Sequence, residues 1–422
     1  MTILIVGGGA AGLQAALTCR KVWPDKSVTL LGLEGEIGYY RALLPQFMVG
    51  MLEEVKLFFW KHGNDSLLNV RTGVRVTSLD RTAQTLRLQD GTKIKYDRLV
   101  LAHGGIPNMP GILADQSWKG TFPVRDLAAA RKSKAWLSGH QNVVVLGSSL
   151  VAVKTAVYLR MAGLKVSLIV RRGHTLLRVL SAEAAELIDA HLRGMGVDLH
   201  FDSTIEDIRV KEGAIKAVKL RRNWVHCDTL LVAAGATPDS RFLETSGLLE
   251  NGELVVSQAL QTRDPKVFGA GDAATIKTTE LENFNPGTWP HAVSQGKLAA
   301  ENLYNHAPRP LEVLTRVNCM NLHGLPLVIL GPPAPGCEII SYSNPAAGVY
   351  RELFLINGCM VGGALIGDIT GAGPLHAMMN TRERMEALAN DLVRPQRRAL
   401  HQRSLCDSKR QNRRAFVLVS EG

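Results

Sequence analysis

Three glycines at positions 7, 9 and 12 stand between an apolar run, ILIV, and the helix-forming stretch AAGLQAAL. GxGxxG at that junction suits one chemistry, the holding of a dinucleotide pyrophosphate. The first glycine makes the tight turn, the second lets backbone reach the phosphates and the third lets the helix pack closely. The helix N-terminus adds free N–H groups and partial positive charge. The next apolar strand should end in an acid for the ribose hydroxyls. LLGLEGE has Gly32 at the usual place and Glu34 two residues on, so Glu34 is the candidate.

A second stretch, VVVLGSSLVAVK at 143–154, has the same outline with other residues in it. Gly147 keeps the first position, Ser149 takes the second and Ala152 the third. A serine where backbone must meet phosphate is a steric handicap, although its hydroxyl can hydrogen-bond a phosphate oxygen. The strand that follows ends SLIVRR. No acid stands there for free ribose hydroxyls, whereas the guanidinium groups of Arg171 and Arg172 can pair with a 2′-phosphate.

The elements that carry these turns repeat one plan. Residues 3–34 and 143–172 each read as apolar strand, small-residue turn, helix of about 14 residues, polar turn and second apolar strand. Such strands fit a parallel sheet covered on both faces. Each unit is followed by a β-meander that ends in a buried strand, at 70–105 and 197–239. The expected fold is therefore α/β, with two Rossmann-like dinucleotide-binding domains and a small C-terminal α+β domain. The first domain is expected to be discontinuous, 1–108 with 240–307, and the second to span 109–239. Within the third, 308–393, the run at 348–368 reads as a hairpin, because Asn357-Gly358 suits a type I′ turn. A helix is expected over 376–393, stopped by Pro395.

Composition narrows the function classes. Hydrophobic residues at 46% and charged residues at 21% of 422 are ordinary for a soluble protein, and no apolar run nears the roughly 18 residues of a membrane span. TILIVGGG enters a strand without a secretory pattern, so the cytoplasm is the expected location. Six cysteines without CxxC or metal-type spacing predict buried small hydrophobes and no metal site. Much of the net charge of +11 lies in a basic tail, 394–422, where eight Arg or Lys face two Asp over 391–414. Nucleic-acid binding is not inferred from it. The tail is expected to be disordered, with AFVLV docked as a last strand. No HExxH, Ser-His-Asp order or convincing carboxylate pair is present, and no catalytic residue is assigned.

Taken in order, VGGGAAG, LLGLE with GYYRALLPQFMVG, LVLAHGG, the second βαβ unit, LVAAGATPD, VFGAGDAA, WPHAVSQGKLAA and VYRELFLINGCMVGGALIGD resemble the two-dinucleotide-domain flavoproteins. The resemblance covers about residues 2–375. It is nearest to the NAD(P)H-oxidising flavoprotein module of assimilatory nitrite reductases and to rubredoxin and ferredoxin reductases. It implies FAD in the first domain, with pyrophosphate at Gly7, Gly9, Ala11 and Gly12 and ribose near Glu34. It further implies Arg41 beside the flavin, Val76 at adenine, Ala102 and Gly104 along the cofactor, Asp272 on the ribityl hydroxyls, and the helix start at Trp289 and Pro290 facing the pyrimidine. Gly147, Ser149, Ala152, Arg171, Arg172 and Gly235 fall on the nicotinamide-nucleotide side.

Two departures from that pattern carry the functional expectations. The family's second loop continues to a glutamate near the nicotinamide, where this chain has Lys154, so altered ring placement or a different donor is expected. Disulfide-reducing relatives carry cysteine in the segment that here reads YYRALLPQFMVG, and this chain has none between Cys19 and Cys227. The chain is thus expected to pass electrons from NAD(P)H, with NADPH favoured over NADH, through FAD to an acceptor protein or small oxidant. The alternative is an FAD-binding subunit whose degenerate NAD(P) site leaves electron exchange to a protein partner. The expected partner is an acidic electron carrier of rubredoxin or ferredoxin type, or another redox subunit, and a homodimer is allowed. His103 and His291 are read as hydrogen-bonded structural imidazoles rather than proton-transfer groups.

Overall fold

A computed structural model describes residues 1–60, 68–114, 118–278, 285, 287–312, 317–382, 384–385 and 388–395. Its helices are α1 (Ala10–Val22), α2 (Leu44–Met48), α3 (Gly111–Ala114), α4 (Leu127–Leu137), α5 (Leu150–Met161), α6 (Ala182–Gly194), α7 (Trp289–Asn302), α8 (Ala372–Thr381) and α9 (Ala389–Leu392). The chain forms two units, residues 1–177 with 185–316, and 178–184 with the part beyond 316.

Two parallel five-stranded sheets build the first unit. In the first sheet the order is Val267–Gly269, Arg98–Leu101, Thr2–Val6, Ser27–Leu31 and Leu68–Arg71. The second runs Val197–His200, Lys165–Ile169, Asn142–Leu146, Thr229–Val232 and Thr121–Pro123. In both, the strand before the candidate turn is central, and the chain builds outward from it on one side before crossing to the other; in the second sheet the edge strand Thr121–Pro123 comes before the central one. That order makes a switch point at the carboxyl ends of the strands, where α/β sheets bind ligands. Register brings those ends level: Val6 lies opposite Leu31 and Leu101, and Leu146 opposite Ile169 and Val232.

The central strands are mostly apolar because helices cover them. Ile3, Leu4, Ile5, Val28, Leu30, Leu99 and Val100 are fully buried. α1 presents Ala15, Ala16 and Cys19 to this core and places Arg20 and Lys21 in its last turn, where cations suit the helix dipole. Both expected meanders form three-stranded antiparallel sheets, Val76–Asp80, Thr85–Leu88, Lys93–Lys95 and Asp207–Lys211, Ala214–Lys219, Trp224–His226. Where the chain passes between the halves, Gly105–Pro107 and Ala236–Pro238 pair antiparallel, so both connections are bonded to each other.

The second unit is a five-stranded antiparallel sheet backed by α8 and α9, which fits the expected α+β domain. Strands Val349–Ile356 and Cys359–Ile366 are joined by Asn357 and Gly358, at φ 51° and 75°, as a type I′ turn requires. The single helix expected over 376–393 is not formed. α8 stops at Thr381, Arg382 turns left-handed at φ 54°, and Met385 N donates to Gly358 O at 2.7 Å, tying the chain to the hairpin before α9. Among the described residues no helix is long and apolar enough to cross a membrane. Residues 396–422, with most of the basic tail, lie outside the described residues.

Candidate functional site

At the first turn, two glycines are required by the protein itself. Gly7 has φ 118°, and a Cβ there would fall 2.0 Å from Ala102 O; one at Gly12 would fall 1.8 Å from Gly7 O. Gly9 differs, since a Cβ there would meet no protein atom within 4 Å. Packing does not demand glycine at position 9, but close approach of a ligand to backbone would. No side chain caps α1, so its first N–H groups face that same opening. These residues fit the pyrophosphate of a dinucleotide.

Around this turn the implied cofactor residues form two clusters. In one, Glu34 accepts hydrogen bonds from Tyr39 Oη and from the Arg41 guanidinium through its two carboxylate oxygens. Arg41 Nη1 also donates to Tyr39 Oη and to Arg125 O, both at 2.9 Å. Burial raises the Tyr39 pKa well above its usual value, so the phenol keeps the proton it donates. In the other cluster, Arg125 Nη2 meets Asp272 Oδ2 at 3.2 Å while Arg125 Nε donates to Gly105 O at 3.2 Å. Arg125 thus touches both clusters, one through its backbone and one through its side chain. Sequence reasoning missed it and Tyr39, because nothing in their local context marks them.

Ala102 is buried behind Gly7, Gly104 turns at φ 65°, and Val76 opens its meander strand half-buried. Trp289 and Pro290 open α7, with the Trp289 ring exposed and 5.2 Å from that of Tyr40. His103 packs edge-on against Phe242 at 5.0 Å, and both ring nitrogens are buried without a hydrogen-bond partner. Burial lowers its pKa to about 4, so the ring is neutral near pH 7. The structure therefore corrects the expectation of a hydrogen-bonded His103. His291, by contrast, bonds Thr288 Oγ1 through Nδ1 at 2.8 Å at the start of α7.

The second turn repeats the backbone and changes the side chains. Gly147 has φ 142°, and a Cβ there would fall 2.4 Å from Ala233 O. Ser149 is the N-cap of α5: Oγ accepts from Ala152 N and donates to Ala233 O, each at 3.4 Å. Hydrogen bonds of that length are weak, so a phosphate oxygen can compete for the Ala152 N–H. Ala152 is fully buried against the turn. Lys154 does not extend into solvent. Its Nζ donates to Ala42 O at 2.7 Å, and burial holds its pKa below the usual lysine value. One turn along α5, Tyr158 Oη accepts from Gln46 Nε2 of α2 at 2.6 Å. α5 therefore grips the segment where disulfide-reducing relatives carry cysteine.

Arg171 and Arg172 are exposed, and among the described residues neither pairs with a carboxylate. Gly235, at φ 93°, accepts from Asn108 N at 3.0 Å beside the paired connections. Burial pushes Cys19 and Cys227 up to about 12, far from reactive thiolates, whereas Cys319 is exposed and Cys337 and Cys359 are half-buried, so the expected burial holds for two of the five described cysteines. Among the described residues, no cluster of three His, Cys, Asp or Glu could hold a metal.

Comparison with known proteins identifies the family. The family model described as pyridine nucleotide-disulphide oxidoreductase matches residues 1–296. Apoptosis-inducing factor 3 of Homo sapiens is 29% identical over 310 residues, 71% of this chain and 50% of that protein. This chain therefore spans about half the length of that relative. The ferredoxin–NAD(+) reductase component of the anthranilate 1,2-dioxygenase system of Burkholderia cepacia is 29% identical over 323 residues, 71% of this chain and 75% of that one. Among solved structures, the covalent putidaredoxin reductase–putidaredoxin complex superimposes with a TM-score of 0.88 at 20% identity, covering 97% of this chain and 99% of that one. At that identity the likeness speaks for the fold.

Proposed function

The chain belongs to the pyridine nucleotide-disulphide oxidoreductase family, whose members are FAD-dependent NAD(P)H oxidoreductases, and on that premise we propose that it oxidises NADPH and delivers the electrons to an electron-carrier protein, with no redox disulfide between. Bound FAD supplies the acceptor for hydride from the nicotinamide and releases electrons singly or in pairs. Residues 1–108 with 240–307 hold it, through Gly7, Gly9, Ala11 and Gly12 at the pyrophosphate and Asp272 at the ribityl chain. Glu34, Arg41, Val76, Ala102, Gly104, Trp289 and Pro290 complete that site. Residues 109–239 hold the donor at Gly147, Ser149, Ala152 and Gly235, with Arg171 and Arg172 on the 2′-phosphate.

The observation that carries the choice of NADPH is the pair of exposed arginines without carboxylate partners at the end of the central βαβ unit. An electron carrier as acceptor is supported by the ferredoxin named for the Burkholderia relative and by the absence of cysteine in α2. Specific contacts favour a second reading: with Ser149 capping α5 and Lys154 bound to Ala42 O, the second site is degenerate and electrons arrive from a partner.

Anaerobic addition of NADPH or NADH to the yellow protein separates the readings. The first expects fast bleaching of the flavin band by NADPH and slower bleaching by NADH. No bleaching by either, in protein that dithionite reduces, leaves only the second. Rapid disulfide reduction would overturn the thiol-free route.

A further inference from the structure

The antiparallel meander of the second half, Asp207–Lys211, Ala214–Lys219 and Trp224–His226, has one face in the core and one in water. Ile208, Val218 and Val225 belong to the hydrophobic cluster that holds Leu230 and Ile169. The period of two along each strand then puts Asp207, Arg209, Ala217, Lys219, Trp224 and His226 on the outer face. Register arranges them in two rows across the sheet, Asp207–Lys219–Trp224 and Arg209–Ala217–His226. The Trp224 side chain is 39% exposed there. Arg209 reaches over the middle strand, where Ala217 is small, and its guanidinium lies 4.5 Å from the Trp224 ring centroid, a cation–π contact.

The meander of the first half has no such face. Val76–Lys95 contains no aromatic residue, and one of its cations, Arg81, is paired with Asp264. Residues 207–226, by contrast, hold six Lys and Arg, all exposed, against Asp207 and Glu212. Among the described residues only Lys211 of the six lies within ion-pair distance of a carboxylate, that of Glu212. Arg221 and Arg222 stand in the turn that leads into Trp224. Folding explains neither feature: an aromatic ring left in water adds nothing to the core, and like charges crowded on one face repel.

The two features together suit an anionic surface, and the make-up of the patch selects its kind. A protein partner needs an apolar interface core within roughly 800 Å² a side, whereas Trp224 is the one large apolar side chain exposed on this face. A nucleic-acid strand stacks successive bases on successive aromatic rings, and here a single ring carries Arg209. A bilayer asks for less, an indole at headgroup depth with Lys and Arg opposite the lipid charges. We propose that this outer face docks the protein on an anionic membrane surface, with Trp224 seated among the headgroups and Arg209, Lys216, Lys219, Arg221 and Arg222 facing the lipid charge. Attachment of this kind is peripheral and depends on neither the electron donor nor the acceptor.

The test is sedimentation of the FAD-loaded full chain with phosphatidylcholine vesicles, plain or carrying about 30% phosphatidylserine. Wild type should bind the anionic vesicles at about 0.05 M salt, leave them at about 0.5 M as screening sets in, and ignore the plain ones. Arg221→Ala with Arg222→Ala should weaken binding about twentyfold, since each cation near the surface contributes about fivefold. Trp224→Ala should weaken it about fivefold through lost apolar burial, with the salt dependence unchanged. Lys93→Ala with Lys95→Ala removes the same charge from the first meander and should change binding by less than about twofold. All these side chains are exposed, so melting temperature and flavin content should stay at wild type. No binding by wild type, or equal binding to plain vesicles, would overturn the proposal. Equal losses from the arginine and lysine pairs would do the same, because net charge rather than this face would then be acting. Binding that survives Trp224→Ala combined with Arg221→Ala and Arg222→Ala would put the attachment elsewhere on the chain. A poly-dT strand that loses affinity with Trp224→Ala while vesicle binding stays unchanged would make the face a nucleic-acid platform instead.

Discussion

The turns at 7–12 and 147–152 are the same piece of backbone built twice. Gly7 N donates to Leu31 O at 2.7 Å and Gly147 N to Ile169 O at 3.0 Å; Ala102 N reaches Val6 O and Ala233 N reaches Leu146 O, both at 2.8 Å. One bond further, Gly32 N donates to Arg71 O at 2.8 Å and Val170 N to His200 O at 2.9 Å. That register sets Glu34 opposite Arg172, Gly9 opposite Ser149, Gly12 opposite Ala152 and His103 opposite Ala234. The copies agree at Gly7 and Gly147, where backbone must pass backbone; they differ at Gly12 and Ala152, where the helix packs on the turn, and at positions where a side chain would meet a ligand. The turn geometry is thus set by the fold, while cofactor identity rests on side chains that the fold leaves free to vary.

The largest expected effect comes from giving the first turn a methyl group that the second already has. Gly12→Ala puts Cβ where Gly7 O lies 1.8 Å away, a backbone atom that cannot yield without opening the turn. Flavin content of the purified protein, read from its absorbance, should fall below about a tenth of wild type, since overpacking against backbone costs several kcal/mol. The mirror change, Ala152→Gly, should cost only about 1 kcal/mol through helix propensity and leave the flavin in place. A Gly12→Ala protein that stays fully yellow would show that the two turns are interchangeable after all.

A change of intermediate size tests the pair His103 and Ala234. The neutral His103, with both ring nitrogens buried, has a folded pKa of about 4, below the 6.5 of a free histidine. Between those values the unfolded chain binds a proton that the folded chain refuses. Stability contributed by this residue is therefore complete above pH 6.5 and is lost as pH falls toward 4, by up to ~3 kcal/mol. His103→Ala, which copies the second half, should flatten that loss. The check is flavin release and near-UV circular dichroism in urea at pH 7 and pH 5, where wild type should shift its midpoint more than the variant. Equal shifts would mean that His103 gains a partner in the cofactor-loaded protein and is not the source of acid sensitivity.

The contrast between what was legible and what was not follows from distance along the chain. The glycine spacing, the repeated plan and the Asn357-Gly358 hairpin each depend on residues within a few turns of one another, so local chemistry specifies them. Arg125 could not be found that way: Arg41, which donates to its carbonyl, lies 84 residues away, and Asp272, which its guanidinium meets, lies 147 residues away. Nor could the break at Arg382, because helix-forming residues run through it and the hairpin's bonds to Arg382, Arg384 and Met385 end the helix. Lys154 lies between these cases. Its charge was visible as a departure, but its direction toward Ala42 O depends on α5 facing α2.

The smallest expected effect decides what Ser149 is for. As N-cap it satisfies the Ala152 N–H weakly, at 3.4 Å, and replacing serine by glycine at a cap costs only a few tenths of a kcal/mol. Ser149→Gly should therefore shift the melting temperature by less than about 2 °C. It also converts the second turn to the open form of the first, freeing an N–H for phosphate. If the hydroxyl obstructs the pyrophosphate, KM for NADPH should fall about two- to threefold, with the flavin spectrum unchanged. A rise in KM would mean the opposite, that Oγ gives up its long bonds to become a phosphate ligand. The serine would then be an alternative solution to the problem glycine solves in the first turn, and the second site would not be degenerate.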